Sequence, residues 1–100
     1  MTLMMSIAQV VQWLPGAQFE GDSSTIVNRV HTDTRTIEAG DLFVALKGER
    51  YDANDFLLEA QQRGAAAAIC HVGADRSGVR GMACIVVADT RLALGALNAH

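Results

Sequence analysis

The sequence predicts a small layered α/β domain in which a mixed β-sheet is flanked by helices. Three observations carry that expectation. Helix-like and strand-like segments follow one another in the order helix, strands, helix, strand, strand, helix. Leu42-Phe43-Val44-Ala45-Leu46 is an unbroken apolar run, the pattern of a strand buried on both faces. Glycine, proline or a helix-capping residue stands at most boundaries between the segments.

Taken in order, Ser6 and Gln9 have capping-box spacing, and Ile7, Val10, Val11 and Leu14 recur at helical intervals. Pro15-Gly16 stops that helix. Ala17 to Glu20 has the length of a short strand, and Gly21-Asp22-Ser23-Ser24 forms a turn. Thr25 to Val30 is β-branched and alternates, with Ile26, Asn28 and Val30 against Thr25, Val27 and Arg29, which predicts one strand. His31 to Arg35 is polar and has no apolar period. Ala39-Gly40-Asp41 turns into the apolar run, and Lys47 to Asp52 is a polar loop. Asn54 or Asp55 then caps a helix bearing Phe56, Leu57 and Ala60, with Gly64 as its C′ residue. Ala65 to Val72 is apolar and rich in alanine. Alanine favours helix, but Gly64 and Gly73 bracket only a strand's length. Gly73 to Gly81 is a loop, Cys84 to Val87 a strand, and Asp89 caps a helix from Thr90 through Leu97. That helix reaches His100 without a stop signal, so the chain is expected to be a domain cut from a longer protein.

Bulk properties narrow the function. The chain has 100 residues, room for one domain, and half of them are hydrophobic. A net charge of −3 offers no basic footprint for nucleic acid or for a membrane surface. The apolar runs fall well short of the ~20 residues a membrane span needs. Met1 to Leu14 contains no Lys or Arg, so it lacks the charged start of a secretory signal. A cytoplasmic protein is expected. Cys70 and Cys84 lie in apolar segments without C-x-x-C spacing and read as small buried hydrophobes rather than a disulfide or metal ligands. His31, His71 and His100 have no ligand-like spacing, and no metal site is expected. Lys47 is the lone lysine and lies in no G-x-x-x-x-G-K-[ST] context. Neither G-x-G-x-x-G nor G-x-S-x-G occurs. No catalytic machinery is visible.

Two polar segments remain, each after a predicted strand, where ligands of open α/β sheets sit. Thr32-Asp33-Thr34-Arg35 puts two hydroxyls, a carboxylate and a guanidinium within four residues. Such a set suits a base edge, a ribose or a phosphate, but it equally suits an Asx or ST turn that satisfies its own backbone. In Lys47-Gly48-Glu49-Arg50-Tyr51-Asp52, Gly48 permits close backbone approach, Lys47 and Arg50 are cations, and Tyr51 offers a ring. The alternative there is a solvated connecting loop. Asp89-Thr90-Arg91 reads first as a helix cap. Arg91 in the first turn opposes the helix dipole, which points to another partner for it.

Together these segments resemble a known family. Thr32 to Arg35, then Gly40-Asp41-Leu42-Phe43-Val44-Ala45-Leu46-Lys47-Gly48-Glu49-Arg50, then Asp52-Ala53-Asn54-Asp55-Phe56 with Ala60, Gly64 and Ala65, look like the start of the Mur ligases, which build the peptide stem of peptidoglycan. The likeness runs from Ser6 to the chain's end and is densest between Val30 and Ala68. It implies an N-terminal domain, residues 1–100, that holds the UDP part of UDP-N-acetylmuramoyl-tripeptide. It further implies an ATP-dependent amide-forming enzyme whose ATP and magnesium are bound by later domains acting in cis. Leu46 to Asp52 and Asp89 to Gly95 look closer to the branch that adds D-alanyl-D-alanine than to the sister branch that adds the third stem residue. A standalone small-molecule-binding module of the same fold is the other alternative. Asn54 departs from the family, where histidine is common. By the same resemblance, Thr32 and Thr34 lie near the uracil and ribose, and Asp33 and Arg35 belong to the UDP site, ordering their loop either by bonding each other or the backbone or by touching the ligand. Gly48, Glu49, Arg50 and Tyr51 run along the uridine and pyrophosphate, with Lys47 as an additional contact. The phosphate loop falls after His100, so the chain alone is expected to be inactive.

Overall fold

Each segment expected to be a strand forms one, and one of them forms two. The computed structural model describes residues 5–14, 16–21, 25–46, 56–72 and 82–98. In chain order the elements are β1 (Met5–Ser6), α1 (Ile7–Gln12), β2 (Gln18–Glu20), β3 (Ile26–Val27), β4 (Arg29–His31), a 3-10 turn (Thr34–Thr36), β5 (Asp41–Val44), α2 (Leu57–Gln62), β6 (Ala67–His71), β7 (Ala83–Val87) and α3 (Thr90–Asn98). The main sheet has the order β2-β7-β6-β5-β4, and β1 pairs with β3 in a separate antiparallel ribbon. Strands β4 to β7 are parallel, whereas β2 joins β7 antiparallel at one edge. This is the expected mixed sheet.

The winding explains where the helices lie. From β4 to β7 each strand sits beside the one before, and the right-handed passage from β5 to β6 puts α2 on one face. On that face Leu57 and Ala60 of α2, with Ile37, pack against Phe43, Ala45, Ala68, Cys70 and Cys84. The other face is covered from the two ends of the chain. Ile7 and Val10 of α1, Leu14, and Ala93 and Leu97 of α3 pack there on Leu42, Val44, Ala67, Ile69, Ile85 and Val87. Leu42 and Val44 therefore point one way and Phe43 and Ala45 the other, all fully buried, which is why this run is apolar without alternation. The alanine-rich segment is a strand because β5 and β7 pair with it on both sides. Tertiary pairing outweighs alanine's preference for helix. Both cysteines are buried, as read from their setting.

The local signals act as expected. In the Ser6 capping box Oγ accepts the Gln9 N–H at 3.3 Å, and the Ser6 N–H donates to Gln9 Oε1 at 3.0 Å. Asp89 Oδ1 accepts the N–H groups of Arg91 and Leu92 at 2.9 and 3.3 Å, capping α3. The predicted caps Asn54 and Asp55 lie outside the described residues; Phe56, which precedes α2, makes no side-chain cap bond. Gly64 follows α2 at φ +106°, where an added Cβ would stand 3.2 Å from the Ala39 Cα. Gly64→Ala is therefore expected to destabilise the domain by about 1–2 kcal/mol, the cost of a left-handed L-residue, seen as a lower urea midpoint at unchanged slope.

One expectation fails. Thr25 to Val30 is not a single strand but is broken at Asn28, whose N–H donates to the Gly40 carbonyl at 2.9 Å. The break hands the chain from the small ribbon to the main sheet and shifts the side-chain phase by one. Val27 is buried and Val30 packs against the same core, while Ile26 is exposed. Alternation within six residues cannot report such a transfer, because it depends on two different pairing partners. Among the described residues no helix is long and apolar enough to cross a membrane.

Candidate functional site

Parallel strands put their carboxyl ends on one edge of the sheet, and the segments noted for their chemistry meet there. Thr32 to Arg35 follows β4, His71 ends β6, and Ala88 to Arg91 joins β7 to α3. Lys47, Gly48, Glu49, Arg50 and Tyr51 follow β5 in the sequence and lie outside the described residues, as does Asp52.

The turn after β4 is built on Asp33. Its Oδ1 accepts the Arg35 N–H at 2.9 Å and so caps the 3-10 turn. Arg35 folds back on the same carboxylate, Nε to Oδ1 at 3.0 Å and Nη2 to Oδ2 at 2.9 Å. The Arg35 side-chain hydrogen bonds, and then its backbone N–H, hold the Asp33 carboxyl down at about 2. The Asx-turn reading of this segment is realised, and the guanidinium fork closes on Asp33 rather than standing open to a phosphate. Asp33 and Arg35 thus order the loop that carries Thr32 and Thr34.

A second network fastens the end of that loop. The Thr36 carbonyl accepts from Arg29 Nη2 at 3.2 Å, and its hydroxyl hydrogen-bonds His31 Nε2. Arg29 also grips Asp41, Nε to Oδ1 at 3.0 Å and Nη2 to Oδ2 at 2.7 Å, and the Glu38 N–H donates to Asp41 Oδ2 at 2.8 Å. Asp41 is only 2% exposed. Burial alone would push its carboxyl up, but the bonds from Arg29 and the Glu38 N–H together outweigh burial and hold it below the ordinary carboxylate range. Sequence reading missed this pair. Arg29 and Asp41 are register partners on β4 and β5, and nothing local signals a partner 12 residues away.

A cleft of about 390 Å³ opens beside the turn. Thr32, Asp33, Thr34 and Arg35 form one wall, buried Phe43 lies at its base, and Phe56 and Glu59 at the head of α2 form the other wall. All four predicted residues of the first polar segment thus meet in one place. Phe56 and Glu59 were not anticipated as site residues. The available signal was an aromatic just ahead of the helix; it is 38% exposed. The cleft offers hydroxyls, an aromatic face and a carboxylate, which suits a polar ring system rather than covalent chemistry. A second hollow, of about 360 Å³, lies at the ends of β6 and β7 between His71 and Asp89 to Arg91. Arg91, expected to have a partner besides the helix, lines it. Among the described residues no group of His, Cys, Asp or Glu is arranged to hold a metal.

Comparison with known proteins gives a consistent set. A family model described as "Mur ligase family, catalytic domain" matches residues 26–99. The UDP-N-acetylmuramoyl-tripeptide--D-alanyl-D-alanine ligase of Haemophilus influenzae is 39% identical over 93 residues, which are 93% of this chain and 19% of that protein. The Escherichia coli protein of the same name is 39% identical over 97 residues, 97% of this chain and 20% of its own. The UDP-N-acetylmuramoyl-L-alanyl-D-glutamate--2,6-diaminopimelate ligase of Streptomyces coelicolor is 37% identical over 79 residues, 78% of this chain and 16% of its own. Among solved structures, a crystal structure of MurF from Acinetobacter baumannii superposes with a TM-score of 0.81 at 38% identity, covering 98% of this chain and 21% of that one. The chain thus spans about a fifth of the length of the curated relatives it matches.

Proposed function

Since this chain belongs to the Mur ligase family, we propose that its 100 residues form the N-terminal, substrate-holding domain of a ligase that adds D-alanyl-D-alanine to UDP-N-acetylmuramoyl-tripeptide, a cell-wall precursor. The observation that carries this reading is the cleft after β4, where Thr32, Asp33, Thr34 and Arg35 meet at the carboxyl edge of a parallel sheet. The two relatives named for this reaction match nearly the whole chain. In this reading Thr32 and Thr34 serve the uracil and ribose, while Asp33 and Arg35 set the turn. The segment carrying Lys47, Gly48, Glu49, Arg50 and Tyr51 runs along the uridine and pyrophosphate.

The reaction joins the terminal carboxylate of the tripeptide to the amine of D-alanyl-D-alanine, with the carboxylate first converted by ATP to an acyl phosphate. ATP and magnesium belong to the rest of such a ligase, because this sequence holds no phosphate-loop motif. The domain's contribution is positional. Binding energy gathered far from the reacting carboxylate holds that carboxylate in line with the phosphate donor. A nucleotide-linked substrate fits a cytoplasmic setting.

Titration of the chain with UDP tests the site. Saturable binding is expected, weakened about fivefold to tenfold in Thr34→Val, as one lost polar contact implies. Equal affinity of the variant would remove Thr34 from the site. The 37% identity to a diaminopimelate-adding relative supports the sister branch as the second reading. A protein carrying this domain with its downstream sequence, offered D-alanyl-D-alanine or diaminopimelate with the matching UDP-sugar peptide, separates the two by which product forms.

A further inference from the structure

The Asp33–Arg35 bonds lie wholly inside the turn after β4, so they fix its shape but not its bearing on the sheet. That bearing depends on the two ends of the turn. Thr32 continues directly from β4, and Thr36 is tied back to β4 by two side chains. Val30 packs with the cluster on the α1 and α3 face, so its neighbours Arg29 and His31 stand on the α2 face, in register with Asp41 and Phe43. From there Arg29 Nη2 donates to the Thr36 carbonyl at 3.2 Å, and His31 Nε2 meets the Thr36 hydroxyl. The guanidinium is itself held by bonds of 3.0 and 2.7 Å to the buried Asp41 carboxylate, with Glu38 a looser partner at 3.9 Å. Arg29, His31, Thr36 and Asp41 are not among the described residues that line the cleft.

Resting on the reading that Thr32 and Thr34 contact the nucleotide, we propose that Arg29, clamped by Asp41, and His31 are positioning residues for it. They act through Thr36 and touch no ligand atom. A free turn would lose its freedom each time a ligand bound, and that loss would weaken binding; a braced turn is ordered already on folding. A hydrogen bond also weakens steeply with distance and angle, so two threonine hydroxyls on one short turn need an anchor outside it. Ile37, the next residue, packs against the cluster under α2 and keeps the following segment in place when the polar brace is removed. The two Thr36 bonds therefore bear on affinity more than on folding.

The test is a titration of the 100-residue chain with UDP, with the urea midpoint and backbone amide exchange measured on each variant. Thr36→Val keeps the branched shape and the carbonyl but loses the hydroxyl. It should weaken UDP about threefold at a urea midpoint close to wild type, and Thr36→Ser should restore binding to within about twofold. Arg29→Met combined with Asp41→Leu removes both charges together, a change that often leaves stability intact. This double variant should unfold much closer to the wild-type midpoint than Asp41→Ala does, yet bind UDP about tenfold more weakly. In both brace variants the Arg35 and Thr36 amides, bonded to Asp33 within the turn, should exchange faster while those of β6 do not. A Thr36→Val chain and a folded double variant that both bind UDP as tightly as wild type overturn the inference. So does binding that weakens only in step with the urea midpoint while the turn amides exchange at the wild-type rate. If the double variant does not fold, Thr36→Val and Thr36→Ser decide alone. If the wild-type chain binds no UDP, the proposed function falls and takes this inference with it; if UDP binds and Thr34→Val weakens it while the brace variants match wild type, only this inference falls.

Discussion

Phe43→Ala is expected to remove about 3–5 kcal/mol of folding stability. Phe43 is among the largest fully buried side chains, at the middle of the sheet face that α2 covers. Much of its surrounding cluster is short: Ala45, Ala60, Ala65 and Ala68. Those side chains end at Cβ and are fixed to sheet and helix backbone, so they cannot reach into the space a ring leaves. The void stays open, which places the cost toward the upper end of the range for such deletions. A domain of this size holds about 5–15 kcal/mol in all, so the variant should unfold at a much lower urea concentration or not fold at 37 °C. Phe43→Leu, which retains most of the volume, should cost less than about 1.5 kcal/mol. Phe43 also lies at the base of the cleft, so the leucine variant should bind UDP less tightly while remaining folded. A near-wild-type urea midpoint for the alanine variant would show that this cluster does not hold the domain together.

Asp41→Ala is expected to cost about 3 kcal/mol. The substitution removes the acceptor for two Arg29 bonds and for the Glu38 N–H at once, at a position 2% exposed. It also cuts β4 from β5 where they begin and loosens the hold of Arg29 on the Thr36 carbonyl. Asp41→Asn keeps the shape and one acceptor, so it should fall between wild type and alanine.

The same carboxylate makes stability depend on acid. Its folded-state pKa is lowered, so its contribution is fully present above the unfolded value of about 4 and is lost as pH falls through the folded value. Asp33, held at about 2, has the same sign. Unfolding free energy should stay level from neutral pH to about 5 and decline below about pH 4 as these groups protonate. In Asp41→Asn that decline should be shallower. Stability that stays flat through pH 3 in the wild type would contradict the role given to both pairs.

The legible and illegible parts of this protein divide by distance along the chain. The Ser6–Gln9 box, the Asp89 cap, the stop at Gly64 and the two-face burial of Leu42 to Ala45 follow from residues within a few positions of one another. So does the Asx turn at Asp33, which the composition of Thr32 to Arg35 left open between turn and ligand site, and which geometry decided. The family too could be read from ordered motifs, and the comparisons bear it out. The break at Asn28 was not legible, because it exists only through the Gly40 carbonyl.

The sequence by itself determined the element types, the mixed sheet, the family and one wall of the cleft. The tertiary structure decided which residues face that wall and what braces it. Phe56 and Glu59 come opposite Thr32 and Thr34 only because α2 crosses over the face that bears Phe43, and Arg29 meets Asp41 only in the β4–β5 register. Caps and periodicity are local hydrogen bonding and side-chain direction, whereas partners from separate elements are set by how whole strands and helices pack, and no short window of sequence contains that information.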